Sequence, residues 1–264
     1  MRATRDATAV RRLREAGAIP IGVTNVSELL MWVESDNRVY GRCNNAYDPD
    51  RIAGGSSGGE GASVGAGIAP FGLGADIGGS IRLPAFFNGV FGHKPSARLV
   101  PNTGQWPIAE NDALLMLGTG PLARRAEDLW PLLRVLAGPD GECAVCAPLA
   151  LGDPDRVELA SVRVFDVSDA PLPVQESLRS AQRRAAAHLA ARGAVVREAH
   201  YPELGRAAWI WSASLSEHND TPFRVLLGHG EAKPIGRELV RWALGRSEHT
   251  LPALALAAIE PIPE

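Results

Sequence analysis

The sequence predicts an α/β fold, and three observations lead there. Helix-like and strand-like apolar periods alternate from the N-terminus onward. Of the 264 residues 45% are apolar and 22% charged, enough to bury one large core or two modest ones. Glycine and serine crowd residues 54 to 80, between two such periodic segments, as turn-forming positions do.

The opening MRATRDATAVRRLREAG reads as an amphipathic helix with Val10 and Leu13 on one face. IPIGVT, residues 19 to 24, suits a buried strand, and VSELLMW, which follows at Val26, suits a short helix. From Glu34 to Ala53 the chain turns polar, a long ordered loop of the kind that frames sites. A helix from near Ser57, a strand around Ile68 to Gly74 and a turn into a second helix at Ser80 would put two glycine-flanked serines at two helix starts. RAEDLWPLLRVLAG reads as helix and SVRVFDV as strand, while Val174, Leu178, Ala181, Ala185 and Leu189 line one face of a further helix. From about Arg206 the sequence is helix-biased, with Trp209, Trp211, Phe223, Leu226, Leu239 and Trp242 available for packing. Trp209, Trp211 and Phe223 suit a core first, with an apolar channel for an acyl chain as the alternative. Without repeats or low-complexity tracts, residues 1–264 read as a single domain whose serine-glycine region spans 40–110.

Several function classes drop out. A formal charge of -3, a pI near 6.1 and the lack of any run of five basic residues argue against nucleic acid or an anionic membrane surface as partner. The apolar stretch Leu251 to Ile259 is half the length of a spanning helix and contains Pro252, so no membrane segment is visible. The N-terminus lacks the apolar run of a secretory signal, and Asp6 and Glu15 do not suit a transit peptide. Three cysteines cannot all pair, which points to a reduced cytoplasmic setting. Cys143 and Cys146 form an isolated CxxC without a second pair to complete a zinc site; they read as surface thiols or as a metal or redox pair. The six histidines show no metal spacing and read as surface or packing residues, His218 alone suiting a pocket. No cofactor or metal is implied, and the oligomeric state stays open, a homo-oligomer included.

Two segments carry chemistry. GADIGGSIR, residues 74 to 82, joins a hydroxyl nucleophile to a glycine bend that can turn the N–H groups of Ile77, Gly78, Gly79 and Ser80 into one concavity, as an oxyanion needs. Alone, it also describes a tight turn with a helix-capping serine. GGSSGGE, residues 54 to 60, contains G-x-S-x-G, but YDPDRIA precedes it rather than the hydrophobic strand of a nucleophile elbow. A P-loop fails as well, because no glycine precedes Lys-Ser or Lys-Thr.

Together, Ser56 and Ser80, 24 residues apart, resemble the signature of the amidase-signature family. The likeness runs through REAGAIPIGVTNVSEL, GRCNNAYDPDRIAGGSSGGEGA, GLGADIGGSIRLPAFFNGVFGHKPS, VPNTGQWP and TGPLARRAEDL, covering about residues 5 to 138. IGGSIRLPAFFNGVFGHKPS and VPNTGQWP are most similar to the fatty-acid amide hydrolase branch. The resemblance implies an α/β/α sandwich around a twisted mixed β-sheet and hydrolysis of a small-molecule amide through a Ser-cisSer-Lys set. It makes Ser80 the nucleophile, Ser56 the serine entered through a cis peptide and residues 77 to 80 the oxyanion hole. Ser57 and Asp76, with Arg82, then support the two turns by hydrogen bonds and an ion pair. A transamidase subunit releasing ammonia from glutamine or asparagine would use the same centre.

The family's lysine is missing. The chain has only Lys94, in GHKPS downstream of the nucleophile, and Lys233, whereas the triad lysine precedes GGSSGGE. Either the sequence is cut at both ends, or it is a degenerate, non-catalytic relative. The first reading is expected, since a drifting pseudoenzyme has little physical reason to keep both serine turns.

Overall fold

The computed structural model describes residues 3–106, 113–167, 173–217 and 221–259. In chain order the elements begin with helix α1 (Thr8–Glu15), strands β1 (Asp36–Asn37) and β2 (Gly41–Arg42), α2 (Gly58–Gly65), β3 (Phe71–Asp76), α3 (Arg82–Phe87), β4 (Phe91–Gly92), α4 (Ala113–Met116), β5 (Gly118–Ala123) and α5 (Leu129–Leu136). Then follow β6 (Arg163–Asp166), α6 (Glu176–Ala191), β7 (Val195–Glu198), α7 (Ala207–Glu217), α8 (Phe223–Leu227), α9 (Ile235–Ala243) and α10 (Leu251–Ile259). The helix–strand alternation is the α/β class that the sequence predicts. The chain divides into two compact units, Met1–Leu149 with His218–Glu264, and Ala150–Glu217.

In the larger unit β5 lies between β3 and β4, antiparallel to both, with Phe71 opposite Ala123 and Asp76 opposite Gly118. Every residue of β5 is buried, while β3 alternates and buries Gly72, Gly74 and Asp76. A Cβ on Gly74 would come within 3.0 Å of the Ser57 hydroxyl and of Leu122, and one on Gly72 would strike the Glu60 carboxylate. The glycines of β3 therefore let α2 lie directly on the sheet. Ile81, Ala85 and Leu122 close the core on the α3 side. A second core joins α8 and α10 through Phe223, Leu227, Ala253, Leu254 and Ala257, with Leu226, Leu239 and Trp242 against it as the sequence suggests.

Helix α1 buries Thr8, Ala9 and Leu13, so Leu13 faces inward as predicted. On its flank Arg12 donates to the carbonyls of Leu136, Ala137 and Gly138 at 2.7, 3.1 and 2.8 Å, satisfying oxygens left over at the end of α5. Residues 19 to 24, read from sequence as a buried strand, form none: Ile19 is 83% and Val23 102% exposed. No other strand lies beside them among the described residues, so neither their backbone nor their apolar face is covered. VSELLMW forms a three-residue 3₁₀ turn, Glu28–Leu30, rather than a helix, with positive φ at Leu29 and Leu30 (53° and 62°). Leu29 and Met31 both pack against the α8–α10 core, and residues two apart do not share a helix face.

In the smaller unit β6 and β7 pair in parallel across α6, a helical crossover as parallel strands require. The helix forms as its periodicity predicts, but a two-stranded sheet offers little surface to cover its apolar face, and Leu178, Ala181 and Ala185 stay exposed. Trp209, expected in a core or an acyl channel, is 79% exposed. Its helix α7 belongs to the smaller unit and Phe223 to the core of the larger one. No helix among the described residues is long and apolar enough to cross a membrane.

Candidate functional site

Two turns meet at the N-terminal end of α2. The first is Gly54–Ser57, whose Gly55–Ser56 peptide is cis, as the resemblance implies. Gly54 has φ +81°, and a Cβ there would press on the Pro84 backbone at 3.0 Å. A Cβ on Gly55 would come within 2.6 Å of the Trp32 carbonyl oxygen and 2.8 Å of the Glu34 nitrogen, so only glycine lets the 32–34 backbone close on this turn. The second turn, Ile77–Ser80, leaves β3 and enters α3, with Gly79 at φ +126°. The Ser57 N–H donates to the Ser80 carbonyl at 3.2 Å and ties the two together. The hydroxyls of Ser56, Ser57 and Ser80 have no hydrogen-bond partner among the described residues. Ser56 and Ser57 are buried and Ser80 is half-buried.

Asp76 organises the second turn. Its fully buried carboxylate accepts from the N–H groups of Gly79, Ile81 and Arg82 at 2.7, 3.1 and 3.2 Å, and from the Arg82 guanidinium at 2.9 and 3.0 Å. Burial pushes this carboxyl up, but the guanidinium and the three amides outweigh it and hold it below the usual carboxylate range. The Asp76–Arg82 pairing expected from sequence is thus present, and Asp76 also supplies the N-terminal amides of α3 with an acceptor. It has a further consequence: the Gly79 N–H, one of four amides expected to point at an oxyanion, is already spent on Asp76. Gly78 and Ser80 keep N–H groups without a partner among the described residues.

Lys94 follows β4 and lies across Gly118, its Nζ 3.4 Å from where a Gly118 Cβ would sit. Burial lowers the pKa of this amine, the Asp76 charge pulls it back up and Arg82 pushes it down, leaving it below the ordinary lysine value. Among the described residues it makes no ion pair. Lys233 lies between α8 and α9, where its N–H donates to Arg224.

Sequence reasoning missed two buried polar residues, Ser35 and Asn88, and a half-buried one, Glu28. Ser35 donates toward the carbonyls of Gly54 and Ser56 at 3.0 and 2.9 Å and accepts from the Gly58 N–H at 2.8 Å. Asn88 donates to Ala53 O and Pro84 O at 2.8 and 2.9 Å and accepts from the Ala46 N–H, joining α3 to the approach to Gly54. Glu28 accepts from the Thr250 N–H and hydroxyl at 2.7 and 2.9 Å and contacts His249 Nδ1 at 2.7 Å. Apart from Pro84, four residues from Asn88, these partners lie 19 to 222 residues away, and nothing in the local sequence marks them. His218 lies outside the described residues. Cys143 and Cys146 are free, half-buried thiols, and no group of three or more His, Cys, Asp or Glu is placed to hold a metal among the described residues.

Comparison with known proteins places this geometry in context. A family model described as amidase matches residues 1–247. The sequence is 45% identical over 267 aligned residues to fatty-acid amide hydrolase 2-A of Danio rerio and 43% identical to fatty-acid amide hydrolase 2 of Homo sapiens, in each case over 97% of this chain and 49% of the relative. It therefore spans about half the length of the curated relatives it matches. The crystal structure of the native peptide amidase from Stenotrophomonas maltophilia superposes with a TM-score of 0.77 at 26% identity, covering 99% of this chain and 56% of that one.

Proposed function

Because this chain belongs to the amidase family, we propose that it carries the nucleophilic centre of an amide hydrolase, with Ser80 as the attacking residue and Ser56 as its proton relay. Ser80 Oγ bonds to the substrate carbonyl carbon and gives its proton to Ser56. The C–N bond then breaks, the amine leaves with a proton returned through Ser56, and water cleaves the acyl-enzyme. The developing oxyanion is met by the N–H groups of Gly78 and Ser80, within the 77–80 turn. Ser57, Asp76 and Arg82 hold the two turns in place.

A serine hydroxyl is a poor base, and the relay ends on a neutral lysine. Neither Lys94 nor Lys233 stands in the family's position for it, and this reading routes no proton through them. The substrate class is a carboxylic amide with an apolar acyl part, in keeping with the fatty-acid amide hydrolase names of the relatives. The observation that carries the proposal is the bond from the Ser57 N–H to the Ser80 carbonyl, which ties the turn bearing Ser56 to the turn bearing Ser80. A fluorophosphonate probe tests it. Labelling should occur on Ser80, vanish in Ser80→Ala and slow by about 100-fold or more in Ser56→Ala. Labelling that survives Ser80→Ala, or a protein carrying the relay lysine as well that never labels, refutes it.

A further inference from the structure

We propose that Ser35 is a positioning residue for Ser56, its hydroxyl clamping the turn that carries the relay serine; this rests on the hydrolase reading above. A serine hydroxyl has one proton to give and two lone pairs to accept with. Here one lone pair takes the Gly58 N–H at 2.8 Å, and the proton is shared between the carbonyls of Gly54 and Ser56, at 3.0 and 2.9 Å. These groups bracket Ser56: the carbonyl two residues before it, its own carbonyl, and the amide two residues after it. With the plane of each fixed, the Cα–Cβ bond of Ser56 keeps one direction. Among the described residues the Ser56 hydroxyl itself makes no hydrogen bond.

Ser35 is itself held from both sides. It is fully buried, and its carbonyl accepts from Cys43 N–H at 2.8 Å where the chain returns from β2. The backbone just before it abuts Gly55, and no side chain could stand at Gly58, where a Cβ would strike the Ser35 hydroxyl. The geometry is that of a reacting group supported by a rigid second residue, and relays of this kind lose rate when displaced by as little as about 1 Å.

Ser35→Ala removes the clamp, Ser35→Cys fills the volume with a weak hydrogen-bonding group, and Ser35→Thr keeps the hydroxyl. The test measures the inactivation rate constant (kinact) and the binding constant (KI) of a fluorophosphonate probe on the full chain, with exchange of the Gly58 amide proton followed by NMR. The Ala and Cys variants should lower kinact by roughly 10- to 100-fold, as expected for a relay group misplaced by up to about 1 Å, with KI unchanged and Gly58 exchange accelerated. Thr should recover most of kinact. Leu136→Val, a core change in α5, is the stability control.

Wild-type kinact in Ser35→Ala overturns the proposal. So does an equal loss of kinact in Leu136→Val at matched melting temperature, since the effect would then be general destabilisation. Labelling that survives Ser80→Ala overturns the hydrolase reading together with the part Ser35 has in it. Faster Gly58 exchange in Ser35→Ala would then show the clamp standing as structure alone, and unchanged exchange would show both ideas wrong.

Discussion

Replacing Asp76 by asparagine should unfold the larger unit well below its normal temperature. The carboxylate is fully buried and receives five N–H donors, three from backbone amides and two from Arg82. Asparagine keeps the shape but removes the charge and exchanges one acceptor oxygen for an NH₂. That group must face either an amide N–H or the guanidinium, donor against donor. Leaving two of these buried N–H donors without an acceptor costs about 3–5 kcal/mol in all. At about 2–4 °C per kcal/mol for a unit of this size, the melting temperature falls by roughly 6–20 °C at pH 7. Arg82→Ala should cost less, about 1 kcal/mol, because the guanidinium is more than half exposed and the three amides keep Asp76 solvated.

The pH dependence has a definite sign. The folded carboxyl lies below its unfolded value, so its contribution is complete above the unfolded pKa of about 4 and drains away as pH falls through the folded one. Circular-dichroism melts of wild type and Asp76→Asn from pH 7 down to pH 3 should therefore draw closer once the pH falls below about 4. A drop smaller than about 2 °C at pH 7, or a gap that stays constant to pH 3, would refute the role given to the carboxylate.

Two further changes probe the frame around the serine turns. Glu28→Ala strips Thr250 of the acceptor for its N–H and hydroxyl and His249 of its partner; a loss of about 2–4 kcal/mol is expected, with the Thr250 amide losing hydrogen-exchange protection. An unchanged melt and unchanged Thr250 exchange would sink it. Lys94→Met should leave fluorophosphonate labelling of Ser80 intact and raise stability slightly at pH 7, because a desolvated ammonium with no ion pair among the described residues is removed. As the folded pKa of that amine is lowered, the Met advantage is full at neutral pH and shrinks as pH climbs toward about 10.4, where the unfolded lysine also loses its proton. Abolished labelling in Lys94→Met would instead make Lys94 the base of the relay.

The serine turns were legible because their chemistry is local. Gly54, Gly79 and the serines beside them announce tight turns by residue type, and Asp76 reaches its five donors within six residues of chain. Helices α5 and α6 and strand β6 were legible for the same reason, since periodicity needs no information from elsewhere. Residues 19 to 24 show the limit of that reasoning. Their pattern suits a strand, but a strand exists only beside another, and none lies there among the described residues.

Sequence by itself determined the α/β class, the two glycine-serine turns and the Asp76–Arg82 pairing, each carried by residues a few positions apart. Tertiary structure alone decided that the Ser57 amide meets the Ser80 carbonyl, that Gly79 spends its N–H on Asp76, and that Ser35 grips the turn around Ser56. The physical reason differs between the two. A buried hydroxyl such as that of Ser35 carries no pattern in its neighbours; its partners become predictable only once the backbone has brought Gly54, Ser56 and Gly58 within hydrogen-bonding distance of it.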